Sequence, residues 1–245
     1  MNRRDAAAIV ALVGVTALWS SVNGSVLEFL RPSMRVWVAV AGAALVAVAS
    51  RELWLSRHSP PGSQHGSSRV GWLIAIPICV AVTAGAGSLG VWAVDRNATF
   101  ANLPNGPTSF NLEQYVRAAS FGGQPIPLTL VDLTYAAASP EHRQVLDGRS
   151  LKVVGFIADG DDGSVRLTRF VISCCAADAQ VVQIELRSDD PLPEEETWIS
   201  VVGTLDQVVP DRASDLEQPP VLEVSNYTEI DEPDEPYEVP VTRIR

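Results

Sequence analysis

Cys174 and Cys175 stand side by side at the end of an apolar run, RFVISCC, and Asp178 follows three residues later. The third cysteine, Cys79, lies far away in an apolar stretch. Two thiols and a carboxylate at this spacing could hold a metal ion, cycle between dithiol and disulfide, or simply pack. Adjacent α-carbons are about 3.8 Å apart across a trans peptide, whereas disulfides favour roughly 4.4 to 6.8 Å, so a Cys174–Cys175 bridge would be strained and easily reduced. As metal ligands the pair has a handicap, because neighbours on a regular strand point to opposite faces. The strand would have to end there, which the following AADA allows. Zinc is the metal such a set suits, and structural zinc takes four protein ligands. Asp178 and His142 are the further candidates, since His58 and His65 fall in a linker between apolar segments. The third reading, two small buried hydrophobes filling the end of a β domain, is the expectation adopted for the pair, with the metal site in reserve.

No other stretch offers comparable chemistry. The chain has no G-x-S-x-G, no H-E-x-x-H, no phosphate loop and no dinucleotide fingerprint. Three histidines leave little material for acid–base work, so no enzyme is expected. ADGDDGSVR resembles a calcium loop only at first sight: counted from Asp159, position 5 is Gly163 and position 12 is Phe170, where acidic ligands are required. A hairpin turn accounts for it better.

The elements that must carry these residues divide by charge. Residues 1–94 hold 7 arginines against 3 acidic residues, and residues 95–245 hold 11 Lys or Arg against 26 Asp or Glu, +4 against −15. Such asymmetry marks halves that live in different environments. The acidic half lacks the clustered cations that neutralise phosphates, so nucleic acid is not an expected partner. The first half contains three apolar stretches, residues 6–30, 36–55 and 70–94, with a linker at 56–69. Each is read as crossing a bilayer of about 30 Å, although the uncharged part of the second, Val36–Ser50, is short for the task. Arg3, Arg4, Arg51, Arg57 and Arg69 lie on one side and Arg31 and Arg35 on the other. The positive-inside rule then places the N-terminus and the linker in the cytoplasm, and everything after Asp95 outside. Over residues 6–30, 36–50 and 70–94 the sole charged residue is Glu28, so this chain alone is not expected to transport.

In the second half, residues 95–126 read as a stalk with one short helical pattern at Leu112–Ala119. Residues 127–230 read as a folded domain. Thr129 and Asp132 stand at capping spacing before a helix of about ten residues, which Pro140 should stop. Five runs with a period of two follow, SLKVVGFIA, SVRLTRFVISC, AQVVQIELR, TWISVVGTL and VLEVSNYTEI, with Gly155 and Gly203 inside the first and fourth. Glycines inside strands mark tight bends, and the order and lengths suggest a small all-β OB-like barrel, with an open sandwich as the alternative. The acidic, proline-rich residues 231–245 read as a solvated tail. Lys152 is the lone lysine beside 17 arginines, the usage of a GC-rich bacterial genome.

LRPSM leading into the second apolar stretch, DGRSLKVVGFI and above all RFVISCCAADA (Arg169, Phe170, Ile172, Ser173, Cys174, Cys175, Ala177, Asp178 and Ala179) resemble the YcgQ-like family of uncharacterised bacterial membrane proteins. The resemblance covers nearly the whole chain. It implies a multispanning permease-like partner and a link to metal homeostasis. AGAGSLG, at the end of the third apolar stretch, departs from the prolines expected there.

Overall fold

The computed structural model describes residues 3–57, 88–96, 112–119, 123–160, 162–206 and 219–238, in two compact units, 1–88 and 89–245.

In the first unit, alanine, valine and leucine, uncharged over residues 6–23 and 36–50, build two helices, α1 (Arg3–Asn23) and α2 (Arg35–Arg57). The turn between them holds two short 3-10 segments, Ser25–Glu28 and Pro32–Met34. Glu28 therefore sits in the turn rather than in α1. The helices run antiparallel and touch closely at Gly14 and Gly42, where a Cβ on either residue would come within 2.9 Å of the other's carbonyl oxygen. Small residues permit such an approach between apolar helices. Arg35 closes the turn: its Nε donates to the Ser21 carbonyl (2.6 Å) and its Nη2 to that of Val22 (3.1 Å). Those oxygens lie at the end of α1, where carbonyls lack helical partners and the dipole favours a cation. At 1.5 Å per residue, the 23 residues of α2 reach about 34 Å, so the short uncharged stretch is embedded in a helix of spanning length. Both helices are long and apolar enough to cross a membrane. Trp19, Trp37 and Trp54 are exposed near their ends, the positions aromatic belts occupy. Residues 70–87 of the third expected span lie outside the described residues.

In the second unit all five period-two runs are strands: β2 (Leu151–Asp159), β3 (Val165–Val171), β4 (Gln180–Arg187), β5 (Trp198–Leu205) and β6 (Val221–Glu229). Short β1 (Ile126–Pro127) and β7 (Tyr237–Glu238) complete a seven-stranded sheet. The pairing returns on itself. β2 pairs with β5 through Leu151–Phe156 and with β3 through Phe156–Asp159, and the circuit continues β5–β6–β4–β3. Only β4–β6 is parallel within this ring. The change of partner on β2 falls beside Gly155, where a Cβ would lie 2.7 Å from the Thr168 carbonyl oxygen. Gly203 follows a register shift in the β5–β6 ladder. The two glycines expected to mark bends thus stand at a change of strand partner and at a register shift.

Leu151, Leu167, Ile184, Ile199 and Leu222, one from each ring strand, share a buried cluster with three helices. These are α3 (Leu112–Ala119), α4 (Leu130–Ala138) and α5 (Pro140–Leu146). The α4 cap is as expected, with the Asp132 amide donating to Thr129 Oγ1 at 3.0 Å. Three features differ from the sequence reading. Leu112 and Val116 are buried, so α3 packs on the domain instead of belonging to a stalk. Pro140 follows the end of α4, as expected, with Ser139 extended before it, and it also opens α5, a helix not expected, at a position where its missing N–H costs no helical bond. Residues 231–238 are not wholly a solvated tail.

That last correction concerns a second apolar cluster. Leu89, Val91, Ala93 and Val94, which the sequence reading assigned to the third span, pack with Phe156, Phe170, Ile172, Val181 and Tyr237. Tyr237 and Glu238 pair with Phe170 and Val171 of β3. The Leu89 amide donates to the Tyr237 hydroxyl (3.1 Å), and the Glu238 carboxylate accepts from the Leu130 and Val131 amides (2.8 and 3.0 Å). A carboxylate at a helix N-terminus satisfies orphan donors and suits the dipole.

Two outcomes follow from this packing. Gly155→Ala forces a methyl against backbone and should cost about 1–3 kcal/mol, read as a lowered Tm of the full chain; an unchanged Tm would mean the strand switch has room. Burial raises the Glu238 carboxyl from 4.5 to about 6, with Arg169 and the two helix amides opposing, and burial raises neighbouring Asp132 as well. This group's stabilising contribution is complete below about pH 4.5 and is lost as pH rises through 6. Acidification from pH 7 to 5 should therefore raise the Tm of the wild type relative to Glu238→Gln. A difference that stays constant over that range would show a carboxyl titrating as if exposed.

Candidate functional site

β3 stops at Val171, and the chain leaves the strand before it reaches the cysteines. The Ile172 amide still donates to the Glu238 carbonyl (3.1 Å), and then the loop turns on Asp178. One carboxylate oxygen of Asp178 accepts from the Ser173 amide at 2.9 Å and the other from the Cys174 amide at 2.8 Å. The Asp178 amide in turn donates to the Cys175 carbonyl (3.0 Å), closing a 3-10 turn at Ala176–Asp178. An aspartate bonding back to nearby amides offers the backbone an alternative to the β-ladder, which is why the strand ends here.

This end to the strand removes the handicap of adjacent positions. The two sulfurs converge to 3.6 Å, unbonded, and the two sulfurs and a carboxylate oxygen of Asp178 all lie within 4.8 Å of one another. Cys174 is exposed and Cys175 half-buried, both as free thiols. The expectation that the pair fills the buried end of the domain is therefore corrected: the nearby core is made by Phe170, Ile172 and Ala179, and the sulfurs face outward from it. His142 lies half-buried on α5 and is not part of the donor cluster.

The electrostatics of the loop follow from the carboxylate. Hydrogen bonds to Asp178 and Cys175, the former the larger effect, push the Cys174 thiol up to about 12. Partial burial pushes the Asp178 carboxyl up, but hydrogen bonds from the Cys174 thiol and from the loop amides outweigh it and hold the group below its ordinary range. A negative charge thus stands against a thiol that keeps its proton, which disfavours thiolate chemistry and favours an arriving cation.

Behind the loop, Arg169 is buried on β3, with its guanidinium 5.0 Å from the Trp198 ring centroid and its Nη2 donating to the Glu235 carbonyl at 2.9 Å. Burial lowers its pKa, while Glu238 and Glu232 oppose the shift. Arg169, Trp198 and Glu238 form the support of this end of the domain. The only sequence signal for Glu238 was YEV, a short β-type alternation among acidic residues and prolines.

Residues 136–239 match the DUF1980 C-terminal domain. The matched segment begins inside α4, contains the whole ring of strands and the Cys174–Asp178 loop, and ends one residue after β7. The matched segment therefore includes the Tyr237–Glu238 pairing as well as the donor loop. No curated protein and no solved structure matches the chain.

Removing the charge beside the thiol is a direct check on this electrostatic description. In Asp178→Asn, alkylation of Cys174 by iodoacetamide at pH 8 should accelerate by about tenfold or more, with the pH–rate profile moving to lower pH. An identical profile in the two proteins would mean that the carboxylate does not hold the thiol proton.

Proposed function

We propose that the chain is a membrane-anchored binding or accessory subunit of a bacterial cell envelope. In this reading α1, α2 and the apolar residues 70–88 anchor an OB-like barrel on the extracytoplasmic side, and a multispanning permease-like partner supplies the polar pathway. The observation that carries it is the composition of the helices: no ionisable residue lies between Ala6 and Asn23 or between Val36 and Ser50, while valines and tryptophans cover their exposed surfaces. Such helices suit an anchor and offer no ion a partner at depth.

The closed circuit of five strands, antiparallel except for β4–β6, supports the OB-like assignment, because that fold is a five-stranded Greek-key barrel. The resemblance to the YcgQ-like family supports the permease-like partner and the link to metal homeostasis. The competing reading is a protein that acts through its adjacent cysteines, by thiol redox or by carrying a metal. Redox work calls for a thiol of lowered pKa, and Cys174 is shifted the other way. Metal carriage is compatible with the accessory role.

Two measurements test the proposal. Protease added to intact protoplasts should cleave the region after Asp95; protection that disappears only on lysis would overturn the orientation. Purification from native membranes in mild detergent should retain a multispanning protein with the chain, and repeated recovery of the chain alone would overturn the accessory role.

A further inference from the structure

The separation of the two sulfurs has a geometric meaning. Two thiolates bound to one zinc ion at about 2.3 Å and at the tetrahedral angle sit about 3.8 Å apart. The sulfurs of Cys174 and Cys175 are 3.6 Å apart, so a shared ion requires them to move by only a few tenths of an ångström. A disulfide would require closure to about 2.05 Å with a strained ring.

Asp178 completes the set. Its oxygens accept main-chain N–H groups, among them those of Ser173 and Cys174, and the lone pair that takes the Cys174 thiol hydrogen is freed for a metal when that thiol gives up its proton. Amide bonds to a ligating carboxylate are the usual outer support that orients it. The loop is thus held in the converged geometry by its own backbone. Two sulfurs are too soft for magnesium or calcium, while the carboxylate oxygen suits zinc better than copper(I), which prefers sulfur throughout.

We infer that Cys174, Cys175 and Asp178 form an open three-donor site for a zinc-class divalent cation, with one coordination position left toward solvent. Structural zinc sites are closed by four protein ligands; three donors on an exposed loop leave room for water or for an incoming ligand, as an ion that is to be handed on requires. Binding is a ligand exchange without electron transfer. The hydrated cation gives up water ligands as it forms bonds to both sulfurs and to one Asp178 oxygen, and the two thiol protons pass to solvent. The inference goes beyond the accessory role and depends neither on the orientation of the domain nor on the partner.

The test uses the full chain in detergent, reduced and stripped with a chelator. Zinc is titrated against a competing chromophoric chelator, and cobalt(II) serves as a spectroscopic probe. Wild type should bind one equivalent of zinc, and its cobalt form should show sulfur-to-metal charge-transfer absorption. Cys174→Ser and Cys175→Ser should each weaken zinc at least about tenfold and reduce that absorption. The double variant should lose both, Asp178→Asn should bind more weakly, and His142→Ala should match wild type. Blocking the thiols of folded wild type with N-ethylmaleimide should reproduce the loss without any substitution. The site is overturned if wild type fails to bind zinc, if its cobalt form lacks the absorption, if the double variant or the blocked protein binds as well as wild type, or if His142→Ala loses the ion.

Discussion

The second unit depends on one strand having two partners. β2 gives its first half to β5 and its second half to β3, and only this double pairing lets the other strands return to their starting point. Closure leaves none of the five ring strands as a free edge, the feature that exposes sheets to aggregation. It also brings side chains from all five strands into one buried cluster, against which α3, α4 and α5 lay their apolar faces. Gly155 is the local condition for it, because any side chain there would meet the backbone of β3. The donor loop inherits its position from the same closure, since it begins where β3 runs out.

Much of this organisation was legible in the sequence, for a physical reason: strands and caps are local. Four of the five period-two runs became strands within a residue of their expected limits, the second stopped three residues early at Val171, and Thr129 capped the helix it preceded. Val36–Ser50 looked short for a bilayer because its charged flanks were counted against it, yet Arg51 and Glu52 continue the helix to Arg57. What stayed hidden was non-local. Leu112 and Val116 reveal their burial only once a core exists for them to meet. Pro140 marked the end of α4 correctly, but nothing local showed that it also begins α5. Glu238 sits in a stretch whose composition reads as solvated; its role comes from two amides more than a hundred residues earlier in the chain.

The cysteines show the same division. Their residue types and the presence of Asp178 three positions on were visible, and metal ligation was one of three readings they allowed. The direction of the sulfurs was not visible, because alternation along a strand predicts divergence, and Asp178 ends the strand by bonding to Ser173 and Cys174. One carboxylate thus shapes the loop and sets its charge. A cation bound there would meet a geometry held by main-chain hydrogen bonds at little further ordering cost.

β7 has a temporal implication. Its partner strand is complete some seventy residues earlier, and the Leu89 amide waits for the Tyr237 hydroxyl across most of the unit. Chains emerge from the ribosome at roughly 5–20 residues per second, so these surfaces stay without their final cover for seconds during synthesis. The outer apolar cluster therefore cannot finish assembling until residue 238 has been delivered to the same compartment. A pause or cleavage shortly before that residue would leave the ring formed and its outer side uncovered.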